Sequence, residues 1–181
     1  MSSDGFYDAG VLRQIATNLF YGWGYNFYRQ ENQLRVDDLL VRSKVGLLLG
    51  WAHKSVETAE SRYRREFLPP PSREKPRPDA EAMAGAQALE RLSKAIGALQ
   101  GQINAQPVPE NDRMTQRYRQ EAPTLQRLVA SDQLLAGQAD LLRSMLDQKD
   151  GASILANLPT LEEGLQAIGE TLKKRQLLLV S

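Results

Sequence analysis

The chain has 181 residues, of which 41% are hydrophobic and 25% charged, with a formal net charge of +1. This composition is close to the globular average, so it argues against wholesale disorder and predicts one domain, or two small ones, with a hydrophobic core. The near-neutral charge gives no overall field that would attract nucleic acid or anionic lipid. The absence of cysteine excludes disulfides, thiolate nucleophiles and thiolate metal sites.

The N-terminal residues 1–5 are polar and acidic, whereas a signal peptide begins with a basic and then an apolar region. The longest strongly apolar stretch, 45–52, is far shorter than the roughly 20 residues that a spanning helix needs. We therefore expect a cytoplasmic protein without a transmembrane segment.

The N-terminal region concentrates the aromatic residues. Eight of the twelve fall within the first 28 positions, and six lie in the run 20–28. Aromatic side chains bury large areas and dominate interface energetics. On a helix these six would point nearly all round the axis, so one neighbouring face cannot bury them all. We expect a combined role in core and interface. The predicted interface or ligand-binding residues are Phe20, Tyr21, Trp23, Tyr25, Phe27, Tyr28 and Trp51.

Two helices are predicted before residue 68. The first is indicated by apolar residues at steps of three and four, namely Leu12, Ile15, Leu19, Trp23 and Phe27. Within it, Gly22 and Gly24 are expected to permit a close backbone approach or a kink. Asp37 and Asp38 suit the start of a second helix, which runs over 39–67 and is apolar nearly all round between 39 and 52. A hairpin is favoured over one long bent helix.

Residues 69–78 contain five of the nine prolines and predict a break between helical units. We interpret them as a semi-rigid spacer in the polyproline II conformation, in preference to a ligand for a proline-binding domain. The predicted division is an aromatic-rich helical hairpin over 1–68, a Pro-rich spacer over 69–78 and a heptad-patterned bundle over 79–181.

The C-terminal region shows two heptad-like seams. Asp79 is suited to cap a helix with the seam Ala82, Gly85, Leu89, Leu92, Ile96, Leu99 and Ile103. The second seam is Leu125, Leu128, Leu135, Ala139, Leu142 and Leu146, interrupted by Asp132. A buried aspartate needs a partner, so we expect Asp132 to face solvent, with a role in setting register as the alternative.

A last helix is predicted after the turn at Asp150 and Gly151. Thr160 and Glu163 have the spacing of a capping box, and the basic group 173–175 suits the C-terminal end of a helix dipole. Residues 177–180 are expected to form a short extended tail. The predicted fold class is an all-α antiparallel helical bundle with an N-terminal aromatic-rich helical hairpin joined by a Pro-rich spacer.

The sequence does not indicate an enzyme. The single histidine, His53, shares a predicted helix face with Glu57 and Glu60, but a structural histidine at the core boundary is favoured over a metal ligand. No nucleophile elbow or phosphate-binding loop occurs. Basic residues near tyrosines, at 62–65 and 113–119, are better explained as solvated helix faces than as a nucleic-acid site. We expect no cofactor and no metal.

The function predicted is that of a non-enzymatic assembly or adaptor protein that acts through protein–protein association, with self-association into a homo-oligomer favoured, through the N-terminal aromatic segment. The alternative is a helical bundle that binds an apolar or aromatic small molecule between its helices, with Tyr21, Trp23, Tyr25 and Trp51 lining the pocket. A third possibility is an enzyme subunit whose chemistry lies on a partner chain.

Overall fold

The computed structural model describes residues 3–25, 27, 34–106 and 122–180. After a short 3-10 turn, Ser3–Phe6, the helices are α1 (Ala9–Trp23), α2 (Leu34–Phe67), α3 (Ala80–Asn104), α4 (Ala122–Leu146), α5 (Gly151–Ala156) and α6 (Leu158–Val180). No strand occurs within the described residues. The predicted all-α helical bundle is therefore confirmed.

The helices share one hydrophobic core. The long helix α2 packs against α3 and α4, and α4 also packs against α1 and α6. Each of these helices and the 3-10 turn contributes buried apolar side chains to a single cluster. Helices before and after the proline segment thus contact one another. The predicted division into units at 69–78 stays a prediction. Among the helices described here, none is both long and apolar enough to cross a bilayer.

Helix α1 ends earlier than the sequence pattern predicts. Gly24 adopts the left-handed conformation, with φ of 74°, and its backbone N–H donates to the carbonyl of Phe20. Glycine reaches this conformation without steric cost, so it terminates the helix rather than kinking it. The buried face of α1 is Leu12, Ala16 and Phe20. The predicted face through Phe27 is wrong, because the helix stops at Trp23. One long bent helix is likewise excluded.

Helix α2 ends at Phe67, as the following prolines predict, and residues 69–79 are non-helical and exposed. The apolar stretch of this helix is only partly in the core. Val45, Leu48 and Leu49 are buried, whereas Leu47 and Trp51 are exposed. The apolar character of α2 all round its axis therefore does not correspond to burial all round, because the buried residues share one broad face and the opposite side stays open to solvent.

Both predicted seams face the core. Their residues are buried except Gly85 and Leu125, which are half-buried. The Asp79 cap is confirmed, since its carboxylate accepts a hydrogen bond from the backbone N–H of Ala82 at 2.8 Å.

The C-terminal end differs from the prediction in two respects. Helix α6 begins at Leu158, so Thr160 lies inside it and the predicted capping box is wrong. A short helix, α5, follows the predicted turn at Asp150 and Gly151 and precedes α6. Residues 177–180 are helical rather than extended, because α6 continues to Val180.

Asp150 caps α5, and this contact predicts a pH-dependent contribution to stability. Its carboxylate accepts from the backbone N–H of Ser153 at 2.8 Å. Hydrogen bonds from the Ser153 side chain and backbone lower the pKa of Asp150. A lowered pKa stabilises the fold above the unfolded value of about 3.9, and this stabilisation is lost as the pH falls through the folded pKa.

The variant Asp150→Asn retains a capping side chain that does not titrate. We expect wild type to have the higher melting temperature near neutral pH and the difference to shrink below about pH 4. Thermal melts followed by circular dichroism over a pH series measure it. A difference that stays constant into acid would contradict the assignment.

Candidate functional site

The end of α1 brings four of the predicted aromatic residues together. Because the chain turns at Gly24, the ring of Tyr25 stacks on Phe20 with centroids 4.2 Å apart. Phe27 meets Tyr25 edge-on at 4.9 Å, and Trp23 lies 5.7 Å from Phe20. Such pairs each stabilise by about 0.5–1.5 kcal/mol beyond simple burial. We call Phe20, Trp23, Tyr25 and Phe27 the aromatic cluster.

The other predicted residues lie elsewhere. Tyr21 is 93% exposed on α1, and Trp51 is 58% exposed on α2. Tyr28 lies outside the described residues. The four residues of the small-molecule alternative therefore do not assemble around one volume, since Tyr21 faces solvent while Tyr25 is buried against Phe20.

Trp51 belongs to an exposed apolar surface that the sequence pattern did not single out. Val36, Leu39 and Leu47 are also exposed on α2, and their helical spacing places them on the same side of the helix as Trp51. We call these four residues the α2 stripe. The sequence signal was the apolar character of α2 all round its axis, which cannot tell a second buried face from a surface open to a partner.

Next to Tyr25 lies a group of buried charged residues joined by ion pairs, which we call the buried charge cluster: Asp38, Arg42, Asp132 and Arg175. The prediction that Asp132 faces solvent is wrong, because this residue is 0% exposed. Arg175, predicted to act at the helix dipole, is also 0% exposed. Ionised groups that leave water in this way need charged or hydrogen-bonding partners.

Arg175 joins two carboxylates from other helices. Its Nε donates to Asp132 Oδ1 at 2.5 Å, and its Nη2 donates to Asp38 Oδ1 at 2.8 Å. The second oxygen of Asp132 accepts from the Tyr25 hydroxyl at 2.8 Å. The aromatic cluster and the buried charge cluster are thus one connected site, in which Tyr25 presents its ring to Phe20 and its hydroxyl to Asp132.

Arg42 extends the same network to the end of α3. Its Nε lies 3.0 Å from Asp38 Oδ2, and its Nη1 donates to the backbone carbonyl of Gln106 at 2.6 Å. Asp38 therefore lies between two guanidinium groups. The network ties α2, α4 and α6 to the chain segments that follow α1 and α3.

The histidine lies at the boundary between core and solvent. His53 is half-buried, and its Nε2 is 3.8 Å from a carboxylate oxygen of Glu57 on the same helix. Across the helix pair, a Cβ placed on Gly97 would come within 3.4 Å of this nitrogen. His53 therefore packs closely over the α3 backbone.

Comparison with models of protein families, with curated proteins and with solved structures finds no match to this chain.

Proposed function

We propose that the chain is a non-enzymatic helical assembly module that associates with a second copy of itself through the α2 stripe. The observation that carries the proposal is the exposure of Trp51 and Leu47, one turn apart on α2, with Leu39 and Val36 exposed further along the same side of the helix. Single exposed apolar residues are ordinary, but several on one helix face, with a tryptophan among them, are typical of a protein contact.

The charge distribution on α2 favours a second copy as the partner. Between Val36 and Trp51, the fully exposed positions of α2 are uncharged, with Ser43 as the polar member, and the half-buried Lys44 is the one charged residue beside Leu47. Two such surfaces meet with little like-charge repulsion, since each carries a single partly exposed cation. If two α2 helices cross antiparallel about a two-fold axis, each α2 stripe faces the other. The basic residues Lys54 and Arg62 of each copy then lie past the end of the partner's α2 stripe. Two-fold dimers are also the commonest homo-oligomers.

The aromatic cluster acts within this function as a support rather than as the main contact. Phe20 and Tyr25 are buried and fix the end of α1, so they are not offered to a partner. Tyr21 provides an additional exposed ring on α1. Stable interfaces bury about 800 Å² on each partner, which is more area than four side chains supply. We therefore place the α2 stripe at the centre of a wider contact.

In sedimentation equilibrium we expect wild type to have an apparent molecular mass above the 20.3 kDa of one chain. The double variant Leu47→Ala/Trp51→Ala should sediment as a monomer. Removing two apolar anchors at the centre of an interface typically costs about 2 kcal/mol or more for each hot-spot residue. Analytical ultracentrifugation over a concentration series measures the association constant.

Leu177→Ala is the matched control, because Leu177 is an exposed aliphatic residue that lies on α6 and not on α2. Its association should equal that of wild type. Wild type that stays monomeric at every concentration would show the self-association proposal to be wrong. Equal weakening in both variants would remove the α2 stripe from the interface.

A further inference from the structure

A solvent-open cleft of about 510 Å³ lies between α2 and the turn that joins α4 to α5. One wall is formed by Lys54, Thr58 and Arg62, which are spaced four residues apart on α2. The other wall is formed by Asp147 and Lys149. The two walls come from parts of the chain about 90 residues apart, so only the tertiary fold creates the cleft.

The cleft is basic, although the chain as a whole has a net charge of only +1. Its lining contains three cations and one carboxylate, and none of Lys54, Arg62, Lys149 and Asp147 forms an ion pair within the described residues. Lys149 also lies close enough to Asp150 to contribute to lowering the pKa of that neighbouring carboxyl. Two lysines and one arginine facing one volume attract a ligand that carries more than one negative charge.

The geometry of both walls is held by the backbone. The Thr58 hydroxyl donates to the carbonyl of Lys54 at 2.9 Å, which leaves the lone pairs of its oxygen to accept from a ligand. In the turn, Gln148 has a φ of 54°, which is uncommon for a residue other than glycine. Asp147 and Lys149 lie on either side of this residue and are anchored by backbone hydrogen bonds to α4.

We propose that this cleft binds a small phosphorylated compound that carries hydroxyl groups, such as a sugar phosphate. Arg62 and the two lysines contact the phosphate, since a guanidinium matches two phosphate oxygens and an ammonium binds phosphate as a point charge. Asp147 accepts hydrogen bonds from ligand hydroxyls, because an ionised carboxylate has only acceptor sites. No residue of the α2 stripe lines this cleft, although Lys54 follows Trp51 by one turn, and the proposal does not rest on self-association.

Three probes separate binding of the phosphate group from binding of the hydroxyl groups. They are ribose 5-phosphate, inorganic phosphate and free ribose. We expect saturable changes in the backbone amide chemical shifts of residues 54–62 and 147–149 with ribose 5-phosphate, weaker binding of phosphate, and no binding of ribose. The variant Lys54→Gln/Arg62→Gln should weaken the affinity for ribose 5-phosphate by at least about tenfold.

The matched control is Lys173→Gln/Lys174→Gln, which removes the same charge from exposed positions of α6. It should bind ribose 5-phosphate as wild type does. No saturable shift in wild type, or an equal loss in both double variants, overturns the cleft as a specific site. The assignment of Asp147 to the ligand hydroxyls is overturned if wild type binds phosphate and ribose 5-phosphate with equal affinity and if Asp147→Asn leaves both affinities unchanged.

Discussion

Replacing Arg175 with methionine should lower the free energy of unfolding by about 3–5 kcal/mol. Methionine fills a similar length in the core but removes the donors that reach Asp132 at 2.5 Å and Asp38 at 2.8 Å. Asp132 and Asp38 then each lose the Arg175 guanidinium while remaining out of water, although Asp38 keeps Arg42 and Asp132 keeps the Tyr25 hydroxyl, and this reduced compensation of buried charge is the origin of the cost. Chemical denaturation in urea measures the loss as a lower midpoint at unchanged slope.

Lys174→Met is the control for Arg175→Met, because Lys174 precedes it on α6 and is exposed. Surface changes of this kind usually stay within about 0.5 kcal/mol. A second variant isolates the charge: adding Asp132→Leu to Arg175→Met should cost less than the sum of the two single changes, since it removes one stranded carboxylate. Strict additivity, or a loss no larger than that of Lys174→Met, would show that the pairing contributes little.

Substituting alanine for Gly137 should destabilise the fold by about 1–3 kcal/mol. Within a helix, exchanging glycine for alanine normally stabilises by up to about 1 kcal/mol. At this position of α4, however, a Cβ would meet the backbone of α1, at 3.0 Å from the carbonyl carbon of Leu12 and closer still to its oxygen. Backbone atoms cannot rotate aside as a side chain can, so α1 has to move away from α4 and the packing of Leu12 loosens.

Gly101→Ala on α3 should have the opposite effect on stability. Apart from the neighbouring backbone of α3 itself, no atom lies within 4 Å of a Cβ placed at Gly101. We expect this variant to be more stable than wild type by about 0.5–1 kcal/mol. Thermal or urea unfolding of the two variants beside wild type measures whether each change lowers or raises the free energy of unfolding. If Gly137→Ala melted at or above wild type, α1 and α4 would have to be farther apart than the structure shows.

Part of the candidate site could be predicted from the sequence. The concentration of rings between Phe20 and Phe27 correctly indicated a cluster, and Asp132 was visible as a polar residue in an apolar seam. Its partner was not visible, since Arg175 lies 43 residues away along the chain and Asp38 is 137 residues from Arg175. Helical periodicity says which face a residue occupies but does not say which distant residue faces it.

The sequence by itself determined the local features of this protein: the end of α2 before the prolines, the cap at Asp79 and the inner faces of α3 and α4. These depend on backbone chemistry and on repeats within one helix, so neighbouring residues decide them. Only the tertiary structure decided the burial of Asp132 with Arg175, the close approach at Gly137 and the exposure of Trp51. Each of these depends on which helices meet and how closely, because the free energy of a buried charge or an exposed ring is set by the neighbours that packing supplies.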